Sequence, residues 1–175
     1  MKKVLFLIGA MLLSMGAWAQ QYDTDFVQTR IMKVSGKTTT MEGHITFDGG
    51  DQLTMNYSDP EGEYFIIDGN QVKINLLKKK AELDADKVPA VKLQRATLLN
   101  CLKGNWEEAA SDNNAETTIS EQDGYQTVYI NAKEHAKIPR GGYSSVELTY
   151  RLSDHLVTRM VLEELTGVKN IYELK

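Results

Sequence analysis

Apolar and polar residues alternate with a period of two over most of this chain, a pattern that belongs to β-strands with one buried face. Residues 24–34 set Phe26, Met32 and Val34 on one side. In residues 41–47, Met41, Gly43, Ile45 and Phe47 alternate with Glu42, His44 and Thr46, and Leu53, Met55 and Tyr57 repeat the pattern against Thr54 and Asn56. Tyr64 to Ile67 is continuously apolar and is followed, across Asp68-Gly69-Asn70, by Val72, Ile74 and Leu76, the clearest hairpin in the sequence. Alternation returns around Tyr125–Ile130, Ser145–Leu152, Leu156–Leu162 and Val168–Tyr172. Asp48-Gly49-Gly50-Asp51, Ser58-Asp59-Pro60-Glu61-Gly62, Gly124, Asp154 and Thr166-Gly167 supply turn chemistry between them.

The rhythm breaks after Leu77. Lys78-Lys79-Lys80 reads as a solvated basic tip. Pro89 at a first helical position, Lys103 in a last turn and Gly104 beyond it bracket a helix. Val91, Leu98 and Leu102 form its apolar stripe, with Leu99 beside it. Arg95 lies on the same side and is expected to run its stem along apolar surface with its head in water. Trp106 follows in a short connection. The fold class is therefore mainly β with one or two helices. About ten strands at hairpin spacing form a single antiparallel sheet, strongly curled or partly closed. One short helix covers only part of such a concave face, so what fills the remainder becomes the functional question.

Residues 1–19 read as a cleavable signal peptide, leaving 20–175 as a single domain. Lys2 and Lys3 precede an apolar run from Val4 to Leu13, and Ala17-Trp18-Ala19 fits a small-x-small cleavage site. The run is shorter than the ~20 residues of a membrane-spanning helix. Removing this segment takes away two lysines and no acid, so the formal charge of −4 becomes −6. An acidic chain without a broad basic surface argues against nucleic acid as partner. The only cysteine, Cys101, sits among leucines and reads as a small buried hydrophobe. His44, His135 and His155 lie far apart without metal-ligand spacing, and neither a nucleophile elbow nor a phosphate-binding glycine loop occurs. No catalytic residue, metal or cofactor is expected, and the chain reads as a non-enzyme.

Phe26-Val27-Gln28-Thr29-Arg30, Glu42-Gly43-His44-Ile45-Thr46-Phe47, Leu53 through Tyr57 with Pro60, Phe65-Ile66-Ile67-Asp68-Gly69 and Val72 occur in an order and spacing that resemble the LolA-like lipoprotein carriers of the Gram-negative periplasm. The resemblance continues through the later helix and the strand pair near Val146 to Leu165. It implies an unclosed antiparallel half-barrel with a helical lid. It also implies a periplasmic carrier that takes acylated lipoproteins from an inner-membrane transporter and passes them to an outer-membrane receptor. Two departures stand out. The family's strand arginine and tryptophan are replaced by Thr54 and Met55, and only Gln20 to Asp25 lie where family members carry an amphipathic N-terminal helix.

On this reading Met41, Ile45, Phe47, Leu53, Met55, Tyr57, Leu148, Tyr150 and Met160 line an acyl-chain cavity on the concave face, and the helix carrying Val91, Leu98 and Leu102 is its lid or plug. Methionine suits irregular cargo because its side chain is flexible and polarizable. A monomer is expected. Two other readings keep the fold: a carrier of another lipid or apolar molecule, and a lipid-sensing or protein-binding module.

Overall fold

The computed structural model describes residues 20–134 and 137–175. The signal-peptide segment and His135 lie outside the described residues. Six strands come first: β1 (Tyr22–Met32), β2 (Lys37–Phe47), β3 (Gln52–Asp59), β4 (Glu61–Asp68), β5 (Gln71–Leu76) and β6 (Lys79–Asp84). Two helices follow, α1 (Pro89–Lys103) and α2 (Trp106–Asp112). The chain ends with β7 (Ala115–Gln122), β8 (Tyr125–Ala132), β9 (Tyr143–Arg151), β10 (Val157–Glu164) and β11 (Val168–Leu174).

All eleven strands form one antiparallel sheet in the order β6-β5-β4-β3-β2-β1-β11-β10-β9-β8-β7. Each strand pairs with its neighbours in sequence except across the helices, where β6 and β7 stay apart, and there is one addition. The first strand takes the last as its second partner, with Phe26 opposite Leu174 and Met32 opposite Val168. The meander is thus joined where the chain begins and ends. It is open where the helices interrupt it, with β6 and β7 as the two sheet edges.

Strand β2 shows why the sequence pattern works. Met41, Gly43, Ile45 and Phe47 are buried while Glu42, His44 and Thr46 are exposed. Phe26, Gly43 and Tyr57 lie side by side across β1, β2 and β3. The Phe26 ring meets Tyr57 edge-on, with centroids 5.2 Å apart and planes at 86°, a favoured aromatic geometry. Gly43 is required between them by backbone proximity. A Cβ there would sit 2.3 Å from the Asn56 carbonyl oxygen, beside a register shift at Glu42/Gly43.

Several expectations are corrected. Val34 lies past the end of β1 and is 93% exposed; Gln28 and Arg30 share the inward face with Phe26 instead. Strict alternation over Leu156–Leu162 places Val157 on the face opposite Met160 and Leu162, yet all three are buried. A register shift between Val157 and Arg159 inserts one residue and resets the alternation. Lys79 and Lys80 begin β6 rather than extending a loop; the turn is Leu77-Lys78, both at positive φ. Strands β6 and β7 escaped the sequence reading because charge dominates the first and the second is almost wholly exposed. Trp106 opens a second helix that buries only Ala109 and Ala110, too few positions to reveal a helical period.

On the outer surface, the His44 ring bridges Asp25 Oδ1 (2.9 Å, through Nδ1) and Asp23 Oδ1 (2.7 Å, through Nε2). The hydrogen bonds to Asp25 and then Asp23 raise the His44 pKa above its ordinary value, and the Asp25 carboxyl is lowered in turn. A raised histidine stabilises the fold at pH below its unfolded midpoint, and that contribution fades as pH climbs through the folded midpoint. In an NMR titration, His44 should titrate above the usual histidine range, and Asp25→Asn should bring its midpoint down. Gly43→Ala should cost about 1–3 kcal/mol in denaturant unfolding, the range for forcing an extra carbon into packed structure.

Candidate functional site

Helix α1 has two halves with different surroundings. Pro89 begins it and Gly104, in the left-handed region at φ 77°, ends it. Thr97, Leu98, Leu99, Cys101 and Leu102 are buried. The sheet caps carbonyls at this end: the Tyr150 hydroxyl donates to Cys101 O (3.1 Å), and the Tyr22 hydroxyl reaches Leu102 O (3.2 Å) while accepting the Val157 N–H (3.0 Å). Burial pushes the Tyr22 hydroxyl up to about 12 and Tyr150 well above the ordinary phenol range, so both stay neutral donors. The Cys101 thiol is likewise raised to about 12 by burial, which makes it an inert packing group.

Asn113, 1% exposed, fixes the same end from the other side. Its amide nitrogen donates to Thr97 Oγ1 and Ala109 O, both at 2.8 Å, and its oxygen accepts the Tyr143 N–H at 3.0 Å. One side chain therefore ties α1, α2 and β9 together with three bonds.

The N-terminal half of α1 stands over open space. A cavity of about 310 Å³ lies beneath Val91, Gln94, Arg95 and Leu98. Its apolar wall includes Met41, Met55, Phe65, Val72 and Ile74. Its other side is polar and already networked. The Tyr57 hydroxyl donates to Gln28 Oε1 (2.5 Å), Gln28 Nε2 donates to Asn170 Oδ1 (3.1 Å), and the Arg30 guanidinium donates to the same Asn170 oxygen (3.2 Å). Burial raises Tyr57 far above the phenol range and Tyr172, also on the lining, to about 12.

Arg95 spans the mouth. Its side chain is only 17% exposed, and its Nε donates to Gly69 O in the β4–β5 turn at 2.5 Å, with Asp51 at 4.0 Å. Its head is thus held by protein rather than left in water, contrary to the sequence expectation. Arg95 bridges the helix and the β4–β5 turn from the helix side.

All nine residues expected to line the cavity are buried on the concave face. Only Met41, Met55 and Tyr57 border the open space; Ile45, Phe47, Leu53, Leu148, Tyr150 and Met160 belong to the sealed core. Of the helix residues, Val91 and Leu98 face the cavity, and Leu102 is fully buried in the core. Gln28, Arg30 and Asn170 are absent from the expected lining because a polar side chain gives no cue to an inward role; the even spacing of Gln28 and Arg30 from Phe26 on β1, and of Asn170 between Val168 and Tyr172 on β11, is the signal that places them inward. Among the described residues no group of three or more His, Cys, Asp and Glu is arranged to hold a metal, and no helix is long and apolar enough to cross a membrane.

The family profile described as "Outer membrane lipoprotein carrier protein LolA" matches residues 17–175. The chain belongs to the LolA family. Carrier proteins of this LolA family are non-enzymatic. No curated protein matches the chain. Among solved structures, a LolA superfamily protein from Nitrosomonas europaea aligns over 90% of this chain and 84% of its own, at 8% identity and TM-score 0.39. The lipoprotein LppX of Mycobacterium tuberculosis aligns over 91% and 87%, at 12% identity and TM-score 0.37. The MucA/MucB complex of Pseudomonas aeruginosa aligns over 90% of this chain and 52% of that one, at 12% identity and TM-score 0.47.

Asn113→Ala should lower stability by about 2–3 kcal/mol in chemical denaturation, since it orphans the buried Tyr143 N–H and removes three bonds at once.

Proposed function

We propose that this LolA-family protein is an extracytoplasmic carrier that receives acyl chains in the cavity under the N-terminal half of α1 and hands acylated lipoproteins towards an outer membrane. The observation that carries the reading is the open, largely apolar space between α1 and β3–β5 in a chain matched to the family over residues 17–175. An acyl chain gains about 0.8 kcal/mol for each methylene it removes from water. A cavity of about 310 Å³ holds roughly ten methylenes if each takes about the 30 Å³ share of a water molecule, so one shielded chain is worth on the order of 8 kcal/mol.

That volume suits one chain in the closed arrangement. Several chains of one lipoprotein need the cavity to widen, and the two ends of α1 differ in how readily they could yield. The C-terminal end is buried and triply tethered; the N-terminal end is held by the Arg95–Gly69 bond, by an exposed Lys92–Asp86 pair at 3.4 Å and by the close approach of the Gly141 backbone to Ala90. Loading and release therefore proceed by swinging the N-terminal half while the other half stays seated, a shift between closed and open populations. The one-chain capacity favours a second reading on the same fold, a carrier of another lipid.

Native mass spectrometry of the mature chain with a diacylated lipopeptide, and separately with single-chain lipids, tests the carrier reading. Stoichiometric adducts are expected; absence of adducts with every acyl species would sink it. Arg95→Met should speed release of a bound acyl probe about tenfold in stopped-flow, the effect of losing one charge-assisted hydrogen bond of the closed state. An unchanged rate would contradict the swinging half-helix.

A further inference from the structure

We infer that the closed cavity is built for a single-chain lipid carrying an anionic head group, held by Arg30. This rests on the carrier reading and specifies its ligand. The whole chain has a formal charge of −4. Yet the cavity lining contains Arg30, Lys79 and Arg95 against one carboxylate, Glu164. Arg95 is occupied by Gly69 O and lies 4.0 Å from Asp51. Arg30 and Lys79 have no carboxylate within 4.0 Å among the described residues, and Glu164, bonded by Thr166 Oγ1 at 3.1 Å, has no cation within that distance there.

Arg30 is the informative member. It shares the inward face of β1 with the fully buried Phe26 and the buried Gln28. A guanidinium carries five N–H donors, and among the described residues its side chain has a single protein acceptor, Asn170 Oδ1. The Asn170 oxygen is also bonded by Gln28, which is bonded by Tyr57, so the acceptor that orients Arg30 is itself fixed. A part-buried guanidinium, oriented and short of partners, is a receptor for a carboxylate or phosphate, which it can engage through two parallel bonds. The apolar wall formed by Met41, Met55, Phe65, Ile74, Val91 and Leu98 adjoins this polar side within one cavity. Head and tail sites are thus contiguous, as an amphiphile requires, and the volume matches one medium-length chain.

Competition binding against a fluorescent acyl probe separates this inference from the carrier reading. Dodecanoate, dodecyl phosphate and neutral monolauroylglycerol are each titrated below the concentration at which they form micelles. Both anions should bind at least tenfold more tightly than the neutral lipid, with the tighter of the two assigning the head group as carboxylate or phosphate. Arg30→Met should weaken both anions at least tenfold more than it weakens the neutral lipid; Arg30→Lys should retain part of the preference, and circular dichroism checks that each variant is folded. Equal affinity for all three lipids in the wild type, or equal weakening of neutral and anionic lipids by Arg30→Met, overturns the head-group site but leaves an acyl-chain carrier standing. Failure of all three lipids to bind overturns both.

Discussion

Everything in this molecule turns on an apolar concave surface larger than the helix available to cover it. Eleven strands bring their inward faces to one side, while α1 supplies fifteen residues, of which five are buried. Apolar area left in water is unfavourable at about 25 cal/mol per Å², so the cover must sit where it seals most. The structure answers by committing one half of the helix. Tyr22, Tyr150 and Asn113 seat the C-terminal half, and the shortfall is concentrated under the other half as a cavity. The position of that cavity is set by where the helix is tethered as much as by which strands are apolar.

This explains how far the residues alone could be read. Strands such as β2, β3 and β9 announce themselves because each has one wet face and one dry one. The bounds of α1 follow from Pro89 and Gly104. The division of the concave face into sealed core and open cavity is a different matter. Met41 and Ile45 lie four residues apart on one strand face and look alike in sequence, yet only Met41 borders the cavity. Which of them is covered depends on contacts with a helix some fifty residues away. The polar inward residues Gln28, Arg30 and Asn170 are legible in position but not in role: parity puts them on the face of Phe26, Val168 and Tyr172, and only the tertiary network reveals that they satisfy one another inside. Val157 shows the local version, where one inserted residue reverses the parity on which the whole reading rests.

The methionines illustrate the same division. Met41 and Met55 border the cavity, where flexible side chains can adapt to an irregular space. Met160 is sealed in the core, where the same flexibility fills gaps. A common residue type at equivalent strand positions thus takes two roles, decided by distance from the tethered end of α1. Across the mouth the link between helix and sheet is made by Arg95, which reaches from α1 to Gly69 O in the β4–β5 turn.

Leaving the barrel open also leaves two strands, β6 and β7, each with a row of unpaired backbone donors and acceptors. Such rows invite another chain to add a strand, the route to fibrils. The run Lys78-Lys79-Lys80, read first as a solvated tip, supplies two of its lysines to the start of β6, where Glu82 and Asp84 follow. On β7, Glu116 and Glu121 flank threonines and the half-exposed Ile119. Charged side chains along an edge strand are a common way of blunting such pairing. The gap in the barrel is thus rimmed by charge on both sides.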